Sequence, residues 1–524
     1  MRTPLIIGTR GSDLALWQAN YIKKLLEDIG QHCELKVIQT QGDQKQELSL
    51  DKLEGKGFFT KEVEDALMNE ETDIAVHSFK DLPTELPAGL IIAAVSDRED
   101  PSELMLIHNR AFDQKKKFSL KQNAVVGTSS ARRKSQLLSF RPDVTVKDLR
   151  GNVPTRINKL EEGLYDAILI AFAGVERLDL DISNFHSIKI EPEVFIPAPA
   201  QGVLAIQVRE KDVELIEMLK KINNSDVKII SELERKILNL FQGGCHTPVG
   251  VYASYDEEKE MYSVRIAKAL SWDKFPISVY SESKDPLQLA IRAFEKINSV
   301  VPCNVFISRS QKANSYLRNV LEANGFKIEE RILIETVPVS YRNLPDCDWI
   351  FFSSKHAVKY FFDQNPQITS QKFGCVGRVT SEALRRYGKR AEFIGSSTDT
   401  KMTGKQFASI AGGSKVLFPQ AKGSMRSIQQ QFVNDRNVID LIVYETFKRN
   451  EGEMPAADVI VFTSPSNVEA WFEKFTFSKN QKAVAMGDAT ANALRKYKII
   501  PASKPDTFDD PGIARAVFGA SSGL

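Results

Sequence analysis

Two segments in the C-terminal half of the chain repeat each other at a constant spacing of 110 residues. Residues 348–387 and 458–497 are identical at 14 of 40 positions, many more than unrelated segments share. Each copy has the pattern of a strand, a serine-rich turn, a helix, a second strand, a Gly-x-x-Thr turn and a second helix. Because a duplicated unit folds twice in the same way, the repeat predicts two similar α/β domains, which would form a cleft where they face each other.

Hydroxyl side chains follow the predicted strands in both copies. Ser354 and Thr380 in the first copy correspond to Ser464 and Thr490 in the second, and Thr463 precedes Ser464. Hydroxyls and helix N-terminal amides at strand ends bind carboxylates, so the cleft is predicted to hold an anion. The alternative is that the two serines and two aligned threonines only cap helices, because Ser and Thr are favoured at the N-cap. This half shows no metal cluster, nucleophile with its base or dinucleotide fingerprint.

In the N-terminal half, basic and hydroxyl residues follow apolar strands at several points. The residues concerned are Arg10, Ser12, Thr128, Ser129, Arg132, Arg133, Arg150, Arg156 and Arg177. The arginine fork binds carboxylate or phosphate oxygens two at a time, so arginines delivered by separate loops predict a polyanionic ligand. Helix capping is the alternative explanation for Ser12.

The overall charge does not favour nucleic acid as this polyanion. A net charge of +2, from 70 basic and 68 acidic side chains, produces no global field. Acidic residues such as Asp143, Asp148 and Glu161 are interspersed among the arginines. Hydroxyl-rich turns also suit a compact ligand better than a phosphate backbone.

An acid and a lysine stand together at the end of another predicted strand. Lys80 and Asp81 follow the apolar segment 73–76, where a loop exposes both side chains. The pair suits general acid–base chemistry, because the cation controls the charge of the carboxylate; a solvated ion pair is the alternative. Nearby, Lys56 lies between two glycines, which indicates either a loop that closes a cation over a ligand or a surface turn.

The cysteines point to one candidate tether. Cys245 follows the pair Gly243–Gly244, which leaves room for a bulky group on the thiol, and a buried cysteine in an ordinary turn is the alternative. Five widely spaced cysteines without a CxxC pair argue against a disulfide framework and a zinc site. With no signal-peptide pattern and no apolar run of about 18 residues, we expect a cytoplasmic protein without a membrane span or a metal.

Seven ordered motifs in the first 300 residues resemble hydroxymethylbilane synthase, also called porphobilinogen deaminase. They are GTRGS (8–12), EGKGFF (54–59), HSFKDLP (77–83), GTSSARR (127–133), LRGNVPTR (149–156), PAPAQG (197–202) and GGCHTP (243–248). The resemblance implies that Cys245 carries a covalent dipyrromethane cofactor and that Asp81, beside Lys80, is catalytic. It implies cofactor binding by Ser12, Lys80, Asp81, Thr128, Ser129, Arg132, Arg133 and Arg150. It implies substrate binding by Arg10, Lys56, Phe59, Arg156, Arg177 and Gln201.

Looser motifs across residues 303–524 resemble uroporphyrinogen-III synthase. They are FFSS (351–354), VGRVT (376–380), LFPQAKGSMR (417–426), VYET (443–446), FTSPS (462–466) and MGDAT (486–490). The resemblance implies ring closure of a linear tetrapyrrole, with inversion of the last pyrrole and loss of water. It implies that Tyr444 helps the hydroxyl leave. We expect the substrate to be bound by Ser354, Thr380, Thr463, Ser464 and Thr490.

These patterns and resemblances together predict a multidomain α/β protein. The N-terminal half is expected to form two hinged α/β domains, like those of periplasmic binding proteins, and a small α+β domain with the cofactor cysteine. The C-terminal half is expected to form two similar α/β domains around a cleft. The predicted boundaries are 1–101 with 198–221, 102–197, 222–301, 302–338 with 448–524, and 339–447.

The predicted function is a bifunctional enzyme of tetrapyrrole and haem biosynthesis. It would convert porphobilinogen to hydroxymethylbilane with release of ammonia, then close the bilane to uroporphyrinogen III. We expect a monomer that acts on these small molecules, without nucleic-acid or membrane partners. Two alternatives are an active deaminase with a C-terminal regulatory or tetrapyrrole-binding module, and a non-catalytic two-domain anion-binding protein. The second alternative usually requires export, which the N-terminus does not indicate.

Overall fold

The computed structural model describes residues 4–40, 60–242, 247–396, 399–449 and 451–523. The chain divides into two compact units, Met1–Ser299 and Val300–Leu524. Lys56, Phe59 and Cys245, three of the predicted site residues, lie outside the described residues.

In the described residues of unit 1 the strands form three sheets. The strands are β1 (Leu5–Arg10), β2 (Cys33–Ile38), β3 (Ile74–Ser78), β4 (Leu90–Val95), β5 (Glu103–Ile107), β6 (Val125–Gly127), β7 (Thr145–Lys147), β8 (Ala167–Ala171), β9 (His186–Ile190), β10 (Leu204–Arg209), β11 (Val249–Asp256), β12 (Met261–Lys268) and β13 (Ile277–Ser283). The helices are α1 (Asp13–Asp28), α2 (Lys61–Met68), α3 (Ala131–Phe140), α4 (Val153–Glu161), α5 (Phe172–Arg177), α6 (Val213–Leu219), α7 (Ser225–Leu240) and α8 (Pro286–Asn298).

The first two sheets share one topology. Their strand orders are β2-β1-β3-β10-β4 and β7-β6-β8-β5-β9. In each sheet, three parallel strands are followed by a strand that runs antiparallel to both of its neighbours. In the second sheet this strand is β5, which follows β4 of the first sheet in the chain. In the first sheet it is β10, which follows β9 of the second sheet. The carboxyl ends of the parallel strands β1, β3, β6 and β7, where α/β proteins bind ligands, carry the motifs GTRGS, HSFKDLP, GTSSARR and LRGNVPTR.

Local sequence explains why the helices begin where these strands end. Ser12 is the N-cap of α1, and its Oγ accepts a hydrogen bond from the Ala15 amide at 3.4 Å. The helix then buries Ala19, Ile22 and Leu26 against the first sheet. Ser130 caps α3 and Asn152 caps α4 in the same way. Each cap satisfies an otherwise unpaired helical amide and fixes the turn that follows a strand.

The two crossing segments, residues 96–102 and 191–203, are bonded to each other. The Glu99 amide donates to the Gly202 carbonyl at 3.1 Å, and Arg98 Nε donates to the Gln201 carbonyl at 3.0 Å. Gly202 has φ +90°, and a Cβ at that position would lie 2.2 Å from the Glu99 carbonyl oxygen. Glycine is therefore required where the crossing segments meet.

The third sheet of unit 1 is an antiparallel meander of β11, β12 and β13. The long helix α7 precedes it and α8 follows it. Asn224 caps the start of α7 by accepting from the Val227 amide. After α7 the chain continues through Phe241 and Gln242 toward the cysteine motif.

In the described residues of unit 2 the strands form two sheets. The strands are β14 (Asn304–Ile307), β15 (Lys327–Glu330), β16 (Ile334–Pro338), β17 (Trp349–Phe352), β18 (Lys372–Cys375), β19 (Phe393–Ile394), β20 (Val416–Ala421), β21 (Val438–Lys448), β22 (Val459–Phe462) and β23 (Lys482–Ala485). The helices are α9 (Tyr316–Ala323), α10 (Lys355–Phe362), α11 (Arg378–Arg385), α12 (Thr400–Ala411), α13 (Pro465–Phe472), α14 (Asp488–Lys496) and α15 (Asp510–Ser521). The predicted multidomain α/β architecture is confirmed.

The repeat folds as two equivalent β-α-β-α segments, as its pattern predicted. The first is β17-α10-β18-α11 in a sheet of order β16-β21-β20-β17-β18-β19, and the second is β22-α13-β23-α14 in a sheet of order β15-β14-β22-β23. One boundary needs correction, because residues 334–338 were placed with the domain of the second copy. They form β16, which pairs antiparallel with the long strand β21 and so joins the other sheet.

None of the helices in the described ranges has both the length and the apolar composition needed to cross a membrane.

Candidate functional site

The acid–lysine pair of unit 1 lies on one turn of 3₁₀ helix, Phe79–Asp81, directly after β3. Asp81 is exposed, while Lys80 is partly buried. Burial lowers the pKa of Lys80 to about 8, and the neighbouring Asp81 carboxylate opposes this change. Arg133 and Arg132 of the second domain also lower the pKa of Lys80. Lys80 therefore lies within the electrostatic reach of cations from the opposite sheet.

Arg156, near the start of α4, extends this cluster from the second sheet. Its Nε donates to the Gly151 carbonyl at 2.8 Å. Burial lowers its pKa to about 10; Arg133 and Arg150 lower it further, whereas Asp81 raises it. Because Asp81 stabilises the charged forms of both Lys80 and Arg156, one carboxylate interacts with cations that follow strands of two different sheets. The predicted residues Lys80, Asp81, Arg133, Arg150 and Arg156 therefore lie within electrostatic range of one another.

A buried glutamate that the sequence analysis did not identify holds the arginine pair of α3. Glu103 Oε1 accepts from Arg132 Nη2 at 2.7 Å, and Glu103 Oε2 accepts from Arg133 Nε at 2.9 Å. Arg132 also donates to the Ile196 carbonyl and Arg133 to the Leu169 carbonyl. The side chain of Glu103 is fully buried. The available sequence signal was the position of Glu103 at the start of an otherwise apolar strand. A carboxylate buried at such a position needs a hydrogen-bonding or charged partner.

The hydroxyls predicted to bind the cofactor also shape the turns that carry them. Ser129 Oγ donates to the Leu149 carbonyl at 2.9 Å and accepts from the Leu149 amide at 3.1 Å. Thr128 Oγ1 accepts from the Ser130 amide, and the Thr128 side chain is buried. Ser12 caps α1 as described, so its capping function is established by geometry. Arg10 ends β1 at the same edge of the first sheet.

Two other predicted binding residues lie at the crossing segments. Gln201 is buried and its Nε2 donates to the Pro101 carbonyl at 2.8 Å. Arg177 is buried, donates to the Gly202 carbonyl at 2.6 Å and lies over the Trp17 ring. Burial lowers the pKa of Arg177 to about 10. Gln201 therefore joins the two crossing segments, and Arg177 joins α5 to one of them.

In unit 2, Tyr444 lies in a cluster of polar and aromatic side chains. Its hydroxyl is 3.3 Å from Ser354 Oγ, and its ring stacks on that of Tyr360 at 5.5 Å. His356 lies next to it, with a distance of 6.2 Å between ring centroids. Burial raises the pKa of Tyr444, while the Ser354 contact lowers it. Burial and two neighbouring lysines lower the pKa of His356, so its ring favours the neutral form.

A second hydroxyl cluster lies at the carboxyl ends of β14 and β22. Ser308 Oγ is 3.2 Å from Thr463 Oγ1 and accepts from the Thr463 amide at 3.0 Å. Asn467 Nδ2 donates to Thr463 Oγ1 and to Ser464 Oγ. Ser308 and Asn467 were not identified from the sequence, because Ser308 lies outside the repeat and Asn467 differs from Ala357, its partner in the first copy.

Both serines are helix N-caps, whereas neither threonine is. Ser354 caps α10 and Ser464 caps α13, each accepting a hydrogen bond from a helix amide. The N-caps of α11 and α14 are glycines instead. Thr380 and Thr490 lie inside the first turns of these helices and are buried. Gly377 and Gly487 precede these threonines by three residues, which places each threonine at the third helical position and not at the N-cap.

No group of three or more His, Cys, Asp or Glu side chains in the described part of the chain is arranged to hold a metal ion.

Family models match both halves of the chain. The model described as porphobilinogen deaminase, dipyromethane cofactor binding domain, matches residues 5–217, and the model of the porphobilinogen deaminase C-terminal domain matches residues 228–273. The model described as uroporphyrinogen-III synthase HemD matches residues 319–514. Both resemblances carried by the sequence motifs are confirmed.

Known relatives agree with these matches. The porphobilinogen deaminase of a Nitratiruptor species is 45% identical over 257 residues, which cover 49% of this chain and 81% of the relative. That of Brevibacillus brevis is 40% identical over 295 residues, which cover 56% of this chain and 93% of the relative. A solved uroporphyrinogen-III synthetase from Helicobacter pylori is similar over 40% of this chain and 96% of its own, at 18% identity. The TM-score of this match is 0.31.

Proposed function

The chain belongs to the porphobilinogen deaminase family, and on that premise we propose which residues carry out two successive steps of tetrapyrrole synthesis. The N-terminal unit is a porphobilinogen deaminase, which joins four porphobilinogen molecules into hydroxymethylbilane with release of ammonia. The C-terminal unit contains a uroporphyrinogen-III synthase domain, which closes the bilane with inversion of its last pyrrole and loss of water. The matches do not favour an anion receptor or a regulatory C-terminal module.

Asp81 is the catalytic carboxylate of the deaminase in this proposal. The observation that carries the assignment is an exposed carboxylate among Lys80, Arg133 and Arg156, which come from two domains. A carboxylate can accept hydrogen bonds from pyrrole N–H groups and offset the positive charge that develops as ammonia leaves porphobilinogen. It can also take up the proton that the newly coupled ring loses.

The cations of the cleft bind the acetate and propionate groups of the substrate. Arg150 and Arg156 approach from the second sheet, and Lys80 approaches from the first. Arg132 and Arg133 are held in place by Glu103, so the charges they contribute are fixed before the ligand arrives. Fixed charges need little reorganisation on binding, which favours a ligand that carries several carboxylates.

Dipyrromethane fits this cleft because it also carries several carboxylates. Lys80, Arg133 and Arg150 would pair with them, while Thr128 and Ser129 keep the turn between β6 and α3 in shape. When bound through a thioether to Cys245, the cofactor supplies the fixed end to which pyrrole units are added.

The tether has a direct test in the mass of the purified protein. We expect the chain to be heavier than its sequence by two condensed porphobilinogen units, and Cys245→Ala to have the bare mass, measured by intact mass spectrometry. Cys303→Ala, which removes a thiol from unit 2, should keep the excess. Excess mass on Cys245→Ala would exclude this attachment point. A bare wild-type chain that porphobilinogen cannot load would exclude the cofactor.

Tyr444 is the residue we propose to assist loss of the hydroxyl in the synthase. Its phenol lies beside Ser354, so it can donate to a leaving oxygen while the serine orients it. Burial raises its pKa, which keeps the phenol protonated at neutral pH. Ser354, Thr463, Ser464, Thr380 and Thr490 lie on the strand ends and first helical turns that would bind the substrate carboxylates.

Tyr444→Phe is expected to lower kcat for ring closure by about 10²-fold, because the donor is lost while ring packing remains. The product should shift from isomer III toward isomer I, since bilane left alone closes to isomer I. Chromatography of the oxidised porphyrins measures the ratio. Tyr341→Phe, which removes a hydroxyl bonded to the Phe361 carbonyl, is the matched control and should leave the ratio unchanged. An unchanged ratio in Tyr444→Phe would contradict the assignment.

The protein is further proposed to act as a cytoplasmic monomer on small molecules. Light scattering of the purified chain tests the oligomeric state, and a dimer at low concentration would contradict it.

A further inference from the structure

Arg235, in the second half of α7, contacts the loop that carries Asp81. Its Nη1 donates to the carbonyls of Phe79 at 3.0 Å and Leu82 at 3.1 Å, and its Nη2 donates to the Pro83 carbonyl at 2.5 Å. The guanidinium also lies over the Phe79 ring, 4.5 Å from its centroid. One side chain therefore binds backbone on both sides of Asp81.

The Asp81 carboxylate depends on its backbone for its position. In the described residues no hydrogen bond fixes this carboxylate, and Asp81 is exposed. Its loop is one turn of 3₁₀ helix, which leaves several carbonyls without helical partners. Arg235 binds three backbone carbonyls in and directly after this turn with one planar cation. Movement of Arg235 would therefore move the loop and the carboxylate with it.

Helix α7 also leads to the cofactor cysteine, because Arg235 precedes Cys245 by ten residues. The neighbouring residue Glu234 fixes the same helix to the crossing segment through Arg98 and the Ala200 amide. A helix is a rigid element, so a residue on α7 can hold the loop in a constant relation to the end of the helix at Leu240.

We propose that Arg235 is a positioning residue of the deaminase, which holds the loop of Asp81 in register with α7. This inference rests on the proposed catalytic role of Asp81. A displacement of a catalytic group by about 1 Å can cost about 10²-fold in rate. Arg235 would therefore affect the rate of pyrrole addition more than the binding of porphobilinogen.

The test compares Arg235→Gln and Arg235→Lys in the full-length holoenzyme. We expect Arg235→Gln to lower kcat for porphobilinogen consumption by about 10- to 100-fold with KM changed less than about threefold. Arg235→Lys should fall between, because an ammonium can donate to the carbonyls but lacks the planar fork and its stacking on Phe79. Lys236→Gln removes an exposed charge from the next position of the helix and should match the wild type.

A double variant separates positioning from a general loss of stability. If Arg235 acts through Asp81, then Arg235→Gln combined with Asp81→Asn should be no slower than Asp81→Asn alone. The proposal would be overturned if the loss of kcat in the double variant equalled the product of the losses in the two single variants. Loss of the cofactor mass from Arg235→Gln would also overturn it. The rate of ring closure of supplied hydroxymethylbilane should be the same in these variants as in the wild type.

The two assignments fail in different ways. An active Asp81→Asn enzyme would remove the proposed function of Asp81. An inactive Asp81→Asn enzyme with a wild-type kcat in both Arg235 variants would remove the positioning role alone.

Discussion

Replacement of Asp81 by asparagine is expected to lower kcat for porphobilinogen consumption by about 10²- to 10⁴-fold. Asparagine has nearly the same size and can still accept a hydrogen bond. It cannot offset the positive charge that develops as ammonia leaves, and it cannot take up a proton at neutral pH. Steady-state kinetics of porphobilinogen consumption measures the loss. Cyclisation of supplied hydroxymethylbilane by the same chain should be unaffected, because Asp81 lies in unit 1.

The same substitution should affect Lys80. Burial already lowers the pKa of Lys80 to about 8, and the Asp81 carboxylate opposes that effect. Without the carboxylate the pKa of Lys80 falls further. The charged fraction of Lys80 in the variant, relative to the wild type, is therefore lower at pH 8 than at pH 7. The loss of activity should therefore be larger at pH 8. Asp28→Asn, which neutralises an exposed carboxylate at the end of α1, is the control. Retention of more than about a tenth of the wild-type kcat by Asp81→Asn would contradict general acid–base catalysis by this group.

Local patterns were sufficient to predict the elements that carry the site. Ser12 and the turn before Arg132 follow apolar strands and precede amphipathic helices, and both begin helices in the structure. The repeat at a spacing of 110 residues likewise produced two equivalent β-α-β-α segments. These features depend on contacts between residues close in sequence, where periodicity and capping rules apply.

Contacts between distant residues could not be predicted in this way. The Glu103 carboxylate meets Arg132 and Arg133 about 30 positions later, and nothing in the local pattern selects that pairing. The strand β16 has a partly polar sequence, and only its pairing with β21 assigns it to a sheet. Thr380 resembles a cap in a Gly-x-x-Thr pattern, yet the glycine is the N-cap. Sequence spacing therefore located the site but did not identify what holds it together.

Glu234 is the clearest example of such a long-range contact, and its side chain is fully buried. Its Oε1 accepts from Arg98 Nη1 at 2.9 Å and from the Ala253 amide at 2.8 Å. Its Oε2 accepts from Arg98 Nη2 at 3.2 Å and from the Ala200 amide at 2.6 Å. Ala200 has φ +59°, a left-handed conformation that costs a non-glycine residue about 1–2 kcal/mol. One carboxylate thus joins α7, the third sheet and both crossing segments.

Glu234→Ala is therefore expected to lower the free energy of unfolding of unit 1 by about 3–5 kcal/mol, because it leaves the buried Arg98 charge and two amides without their acceptor. Hydrogen exchange at increasing urea concentration, read by mass spectrometry on peptides of unit 1, measures the change. Glu232→Ala, at an exposed position on the same helix, is the control and should change stability by less than about 0.5 kcal/mol. Arg98→Met combined with Glu234→Leu should recover part of the loss, since it removes both charges together. Equal stability of the Glu232 and Glu234 variants would show that the four hydrogen bonds do not hold the domains of unit 1 together.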